Sequence, residues 1–132
     1  MPSTEARTIT PIKVLRLFAD VHGESRFEAV DWPLDLIDFA PPASPLYVSE
    51  MQAARQFALL RLPPKWTGER HPSPTRQILV CCRGTVRVTP SLGEPQTIGP
   101  GDCWLMEDTT GDGHETSVIS EGPFEALVVQ IP

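Results

Sequence analysis

The chain has 132 residues, 40% of them hydrophobic, which is the size of one domain able to bury a core without disulfide staples. Eleven Lys and Arg against seventeen Asp and Glu leave a net charge of −6, which argues against nucleic acid or an anionic membrane surface as partner. No apolar run approaches the roughly 20 residues of a membrane helix, and the composition is that of a folded globule rather than a disordered tail.

The start of the chain, Met1 to Val14, mixes Glu5, Arg7 and Lys13 and has no apolar h-region, so no secretory leader is read and a cytoplasmic location is expected. Met1–Pro11 reads as a flexible extension ahead of a single domain. After it, short apolar runs alternate with turns built on fifteen prolines and nine glycines, the pattern of an all-β sandwich or barrel. The runs predict strands at Val14–Ala19, Phe27–Val30, Leu34–Phe39, Gln77–Cys82, Thr85–Thr89, Cys103–Glu107, Thr116–Ile119 and Phe124–Ile131. Turn residues separate them at His22-Gly23-Glu24, Ala40-Pro41-Pro42, Leu92-Gly93-Glu94, Gly99-Pro100-Gly101-Asp102 and Gly111-Asp112-Gly113. Arg83-Gly84 predicts a tight hairpin, glycine supplying a positive φ. Ser49–Leu62 is locally the best helix in the chain, with a capping serine, good helix formers and a stop at Pro63.

Cys81, Cys82 and Cys103 form an odd set without a C-x-x-C pair, and neighbours on a strand point to opposite faces. They read as small buried hydrophobes in a reducing compartment. Of the three histidines, His22 sits in a polar turn, whereas His71 and His114 stand at strand entrances and can converge inside a barrel. Alternation puts Gln77, Leu79 and Cys81 on one face of their strand, and Trp104 and Met106 share a face of theirs.

The stretch from Trp66 to Ile131 resembles a cupin. His71 stands where the first motif has its first histidine, and Gln77, six residues and Gly84 follow its second half. Ser73 replaces the second histidine. Gly111, two residues and His114 match the middle of the second motif, after the Pro-Gly-Asp corner Pro100-Gly101-Asp102. The closer resemblance is to small single-domain bacterial cupins carrying Asp-Thr-Thr-Gly-x-Gly-His, here Asp108 to His114.

That resemblance implies one domain over residues 1–132: a single jelly-roll (double-stranded β-helix) barrel, with Gln56–Leu62 a strand despite its helical propensity. It implies a small organic molecule bound in the barrel and a metal shell of His71, Gln77 and His114. One divalent transition metal (iron, nickel, zinc or manganese) would suit such ligands. The shell departs from the family's three histidines and a carboxylate, which weakens it. Trp66, Ser73, Trp104 and Met106 are the candidate ligand-binding residues. Asp108 reads as a solvated turn or as a carboxylate behind a histidine. The resemblance further implies a homodimer, with Lys13–Phe39 as the candidate dimer element. Two functions follow: a metal-dependent enzyme of dioxygenase, isomerase or lyase type, or a metal-free small-ligand binder. A general-base epimerase or cyclase using His71 or His114 is a weaker third.

Overall fold

A computed structural model describes residues 9–132, so the expected extension Met1–Pro11 lies for the most part outside the described residues. The described chain forms twelve strands: β1 Ile12–Ala19, β2 Ser25–Trp32, β3 Asp35–Ile37, β4 Leu46–Val48, β5 Gln56–Leu62, β6 Thr67–His71, β7 Gln77–Arg83, β8 Val86–Pro90, β9 Gln96–Ile98, β10 Cys103–Glu107, β11 His114–Val118 and β12 Phe124–Gln130. A six-stranded sheet, ordered β2-β1-β10-β7-β12-β5, faces a four-stranded sheet, ordered β6-β11-β8-β9. β3 and β4 pair with each other alone. The two larger sheets close over one core, the arrangement of a jelly-roll barrel.

Strand alternation builds that core. β7 turns Gln77, Leu79 and Cys81 inward, and all three are buried. Leu17, Trp104, Met106, Phe124 and Ala126 join them from the same sheet, and Val86, Val88, Ile98 and Val118 close the barrel from the other. Each fully buried Leu, Val or Ile contributes about 1.5–3 kcal/mol, so this cluster is the main source of stability. A second, smaller cluster of Val14, Leu105 and Ile131 lies on the outer face, with Trp32, Ile78 and Val129 packed against it.

β5 settles the contest at Gln56–Leu62. The segment pairs with β12 from Gln56↔Gln130 to Leu62↔Phe124, and Leu60 and Leu62 pack onto the core. Helix propensities differ by at most about 0.7 kcal/mol per residue for ordinary residues, less than this pairing and burial supply. Residues 49–55 take no regular structure.

The predicted hairpin at Arg83-Gly84 is not one. β7 and β8 belong to different sheets, and the chain crosses between them there. Gly84 does have a positive φ of 80°, and a Cβ on it would lie 2.2 Å from the Pro123 carbonyl oxygen. Of the expected dimer element, β1 and β2 are strands of the larger sheet, and its end, Asp35–Phe39, is exposed throughout. No helix among the described residues is long and apolar enough to cross a membrane.

Candidate functional site

Register gathers the polar side chains at one end of the barrel. Gln77 opens β7 and pairs with Met106 on one side and Gln130 on the other, and Gln130 pairs with Gln56. Just before β7, the Ser73 amide donates to the carbonyl of Asp108, just after β10 (2.9 Å). That tie closes the end of the sheet and places Asp108 beneath the loop leading to His114.

Asp108 is not a solvated turn residue; it is fully buried. Its Oδ2 lies 2.6 Å from His114 Nδ1, and its Oδ1 accepts from the Ser73 hydroxyl at 2.7 Å. A buried carboxylate survives only when its oxygens are satisfied, and here each has a donor. The carboxylate brings no proton, so the bridging hydrogen belongs to Nδ1, and Nε2 is the free face of the His114 ring. Ser73 is buried and its hydroxyl is engaged by this carboxylate, so it holds the frame rather than lining an open surface.

His114 opens β11 on the same inward row as Thr116 and Val118, and is 2% exposed. It pairs across the ladder with His71, the last residue of β6, their ring centres 5.2 Å apart. The sequence expectation that these rings meet holds. His71, however, sits at the rim in contact with solvent, so the two do not share a closed hollow. His71 Nδ1 lies 2.6 Å from the carbonyl of Glu69, an acceptor that fixes the proton on Nδ1. Both imidazoles therefore present Nε2.

Trp104 meets His114 edge-on, ring centres 5.3 Å apart. It is 3% exposed, and its indole Nε1 is a buried donor with no acceptor among the described residues. Nearly all buried donors in folded proteins are satisfied, so this one marks a place where an acceptor belongs. Met106 lies beside Gln77, whose amide nitrogen donates to the Met106 sulfur at 3.4 Å and leaves the amide oxygen as its free end. Trp66 is half-buried against the core with its ring beside Gly68, where a Cβ would come within 2.5 Å of it.

The residues present can be tested against a metal ion. Two imidazoles bound through Nε2 to one tetrahedral ion place their ring centres roughly 5 Å apart. The His71–His114 separation meets that requirement. Asp108 is turned onto the back of His114 instead. Among the described residues no three His, Cys, Asp or Glu side chains group around one point. The donor set fits a weakly held ion of the imidazole-preferring kind.

Two clefts of the surface lie away from this cluster, one of about 450 Å³ beside Leu59, Arg61, Cys82 and Glu125, another along Lys13, Leu15, Ile98 and Cys103.

No protein-family model and no curated protein matches the sequence. Solved structures do. A cupin 2 conserved barrel domain protein from Salinispora arenicola superposes with a TM-score of 0.50 at 13% identity, over 75% of this chain and 74% of that one. A sugar phosphate isomerase of the cupin superfamily from Silicibacter pomeroyi gives 0.47 at 24% identity, over 59% of this chain and about half (52%) of its own length. The cupin domain of Schizosaccharomyces pombe Cnp3 gives 0.47 at 10% identity, over 98% of this chain and 89% of that one. The fold of this chain is that of the cupin barrel. Fold alone assigns no reaction.

Proposed function

We propose that the polar end of this cupin barrel binds a small organic molecule through a hydroxyl group set between Trp104 and His114. The observation that carries this reading is the unpartnered indole N–H of Trp104, buried against a histidine whose other nitrogen is already held. An indole nitrogen only donates, whereas the His114 Nε2 left by the Asp108 bond accepts. A hydroxyl satisfies both at once: its oxygen accepts from Trp104 and its proton is given to His114. A carboxylate behind an imidazole also strengthens it as a base, so the same pair is placed to take that proton in a reaction.

The test is a thermal-shift screen of hydroxy acids, sugars and phenols, followed by titration of any stabilising compound. Trp104→Phe should lower affinity by roughly 10- to 100-fold, the worth of one buried hydrogen bond. It should leave the unliganded melting temperature within a few degrees, because it also removes an unsatisfied donor. Unchanged affinity in that variant refutes the reading.

A second reading has its own support. Both imidazoles direct Nε2 away from their anchored Nδ1 at a separation suited to one ion, so His71, His114 and the Gln77 oxygen would hold a divalent iron, nickel, zinc or manganese. Such an ion would act as a Lewis acid toward a bound oxygen. Elemental analysis after growth in supplemented medium decides it: less than about one-tenth equivalent of any transition metal ends this reading. If metal is present, His114→Ala should empty the site.

A further inference from the structure

We infer that two copies of this chain associate through the free edge of β5, joining their six-stranded sheets into one. Among the described residues β5 is the outermost strand of its sheet, bonded to β12 on one side only. Its odd-numbered residues point away from the core, and Phe57 and Leu59 stand 75% and 78% exposed. An edge strand of seven residues with two large apolar side chains in water is one that proteins ordinarily blunt with charge, proline, a bulge or a cover.

The other edges of the two barrel sheets carry such protection. β2, at the far side of the same sheet, exposes Arg26, Glu28 and Asp31. β6, at one edge of the second sheet, exposes Glu69 and Arg70, and β9, at its other edge, is three residues long. β5 has no proline and no bulge against β12, and its single charge, Arg61, is balanced by Glu125 at 2.6 Å.

The strand is also complementary to itself. An antiparallel pair about a two-fold axis at Leu59 sets Leu59 against its own counterpart. It sets Phe57 against Arg61 of the second copy, an apolar and cation–π contact, and brings no like charges opposite each other. Moving the axis to Ala58 would set Arg61 against Arg55 of the second copy. The pairing centred on Leu59 is closed and isologous, which limits assembly to two copies rather than a fibre.

Sedimentation or light scattering on the purified chain at about 50 µM should report twice the 14.5 kDa of one chain. Leu59→Lys places two cations at the axis and should give a single chain with an unchanged circular dichroism spectrum. Val21→Lys, at an apolar position 94% exposed in the β1–β2 turn, should stay a dimer. The axis brings the two residue-59 Cα atoms within about 4.5–5.5 Å, inside disulfide reach. Leu59→Cys in a Cys82→Ser background should therefore cross-link on mild oxidation, and Phe57→Cys should not. A single-chain mass for the native protein, or a dimer that Leu59→Lys leaves intact, overturns the proposal. So does an oxidised dimer formed by Phe57→Cys and not by Leu59→Cys.

Discussion

Asp108 is the residue whose loss should cost this fold most for its size. Its carboxylate is buried and joins β10, the segment before β7 and the start of β11 through Ser73 and His114. Replacing it with alanine strands two buried groups, the Nδ1–H of His114 and the hydroxyl of Ser73, at about 1–3 kcal/mol each. The vacated volume adds a fraction of a kcal/mol at about 24 cal/mol per Å³. The total, about 3–6 kcal/mol, is a large share of the roughly 5–15 kcal/mol that holds a domain together. For a chain of this length that is a fall in melting temperature of about 10–25 °C. Asp108→Asn is the informative contrast. Its amide oxygen can accept from His114 and its NH₂ can donate to Ser73, so the loss should be about 1–2 kcal/mol. Urea titrations of the three proteins measure the order, and the imidazole ¹⁵N spectrum of the native protein checks the tautomer. An alanine variant within about 1 kcal/mol of native, or a His114 proton found on Nε2, would refute the bridging carboxylate.

Three further outcomes follow from neighbouring contacts. The Glu24 carboxyl is pushed above the usual range, first by its hydrogen bond to Asp112 and then by burial, with Asp20 adding and Arg26 opposing. Its folded value being raised, the stability it contributes is present at acid pH and lost as pH rises from the ordinary carboxylate range through the raised value; Glu24→Gln should flatten the melting profile across that rise. Glu107 has the opposite sign: burial raises its carboxyl, but hydrogen bonds from Arg16 and Arg76 outweigh burial and hold it below the usual range. Its contribution is present above the ordinary carboxylate range and lost as pH falls through the lowered value, so Glu107→Gln should lower stability at neutral pH and converge with native in acid. Gly113→Ala meets both a φ of 74° and the His71 backbone at 2.2 Å, and should cost at least about 3 kcal/mol, whereas Gly101→Ala, with φ 89° and open space, should cost about 1–2. Chemical denaturation separates the two, and equal losses would refute the steric argument.

What the sequence made legible was whatever alternation or turn chemistry writes locally. β7 and β10 run from Gln77 and Cys103 as predicted, with Leu79, Cys81, Trp104 and Met106 turned inward. β6 escaped because Thr-Gly-Glu-Arg-His has no apolar face: it is an edge strand held by its ladder to β11. The hairpin at Gly84 failed for a related reason, since a positive φ fixes a sharp bend but not the sheet into which the bend leads. At the site, the meeting of His71 and His114 was carried by the motif, while their unequal burial depends on where β6 ends. Asp108 could have been read inward from parity: Trp104, Met106 and Asp108 are two apart, and only the neighbouring turn residues made it look solvated.

The polar end of the barrel joins a rigid frame to one unspent donor. A β-barrel interior tolerates a polar group only when that group is bonded, and the buried ones here mostly are. Ser25 donates to the Gly113 carbonyl at 2.6 Å, Ser73 and His114 share Asp108, and Gln77 rests on Met106. The Ser25 bond ties the β1–β2 turn to the loop that presents His114, and the Asp112 amide adds a second tie to Gly23 at 2.8 Å. His114 is thus fixed from its loop, its ring nitrogen and its ladder partner together. Beside a side chain so constrained, the free Nε1 of Trp104 cannot be relieved by a small shift of its neighbours, since moving the His114 ring breaks bonds already made and the Trp104 ring is packed into the core. A donor held in place without an acceptor costs stability, about 1–3 kcal/mol by its desolvation. A ligand that supplies the acceptor recovers that cost without first having to order the site, so the strength of binding and the strain of the empty barrel have one origin.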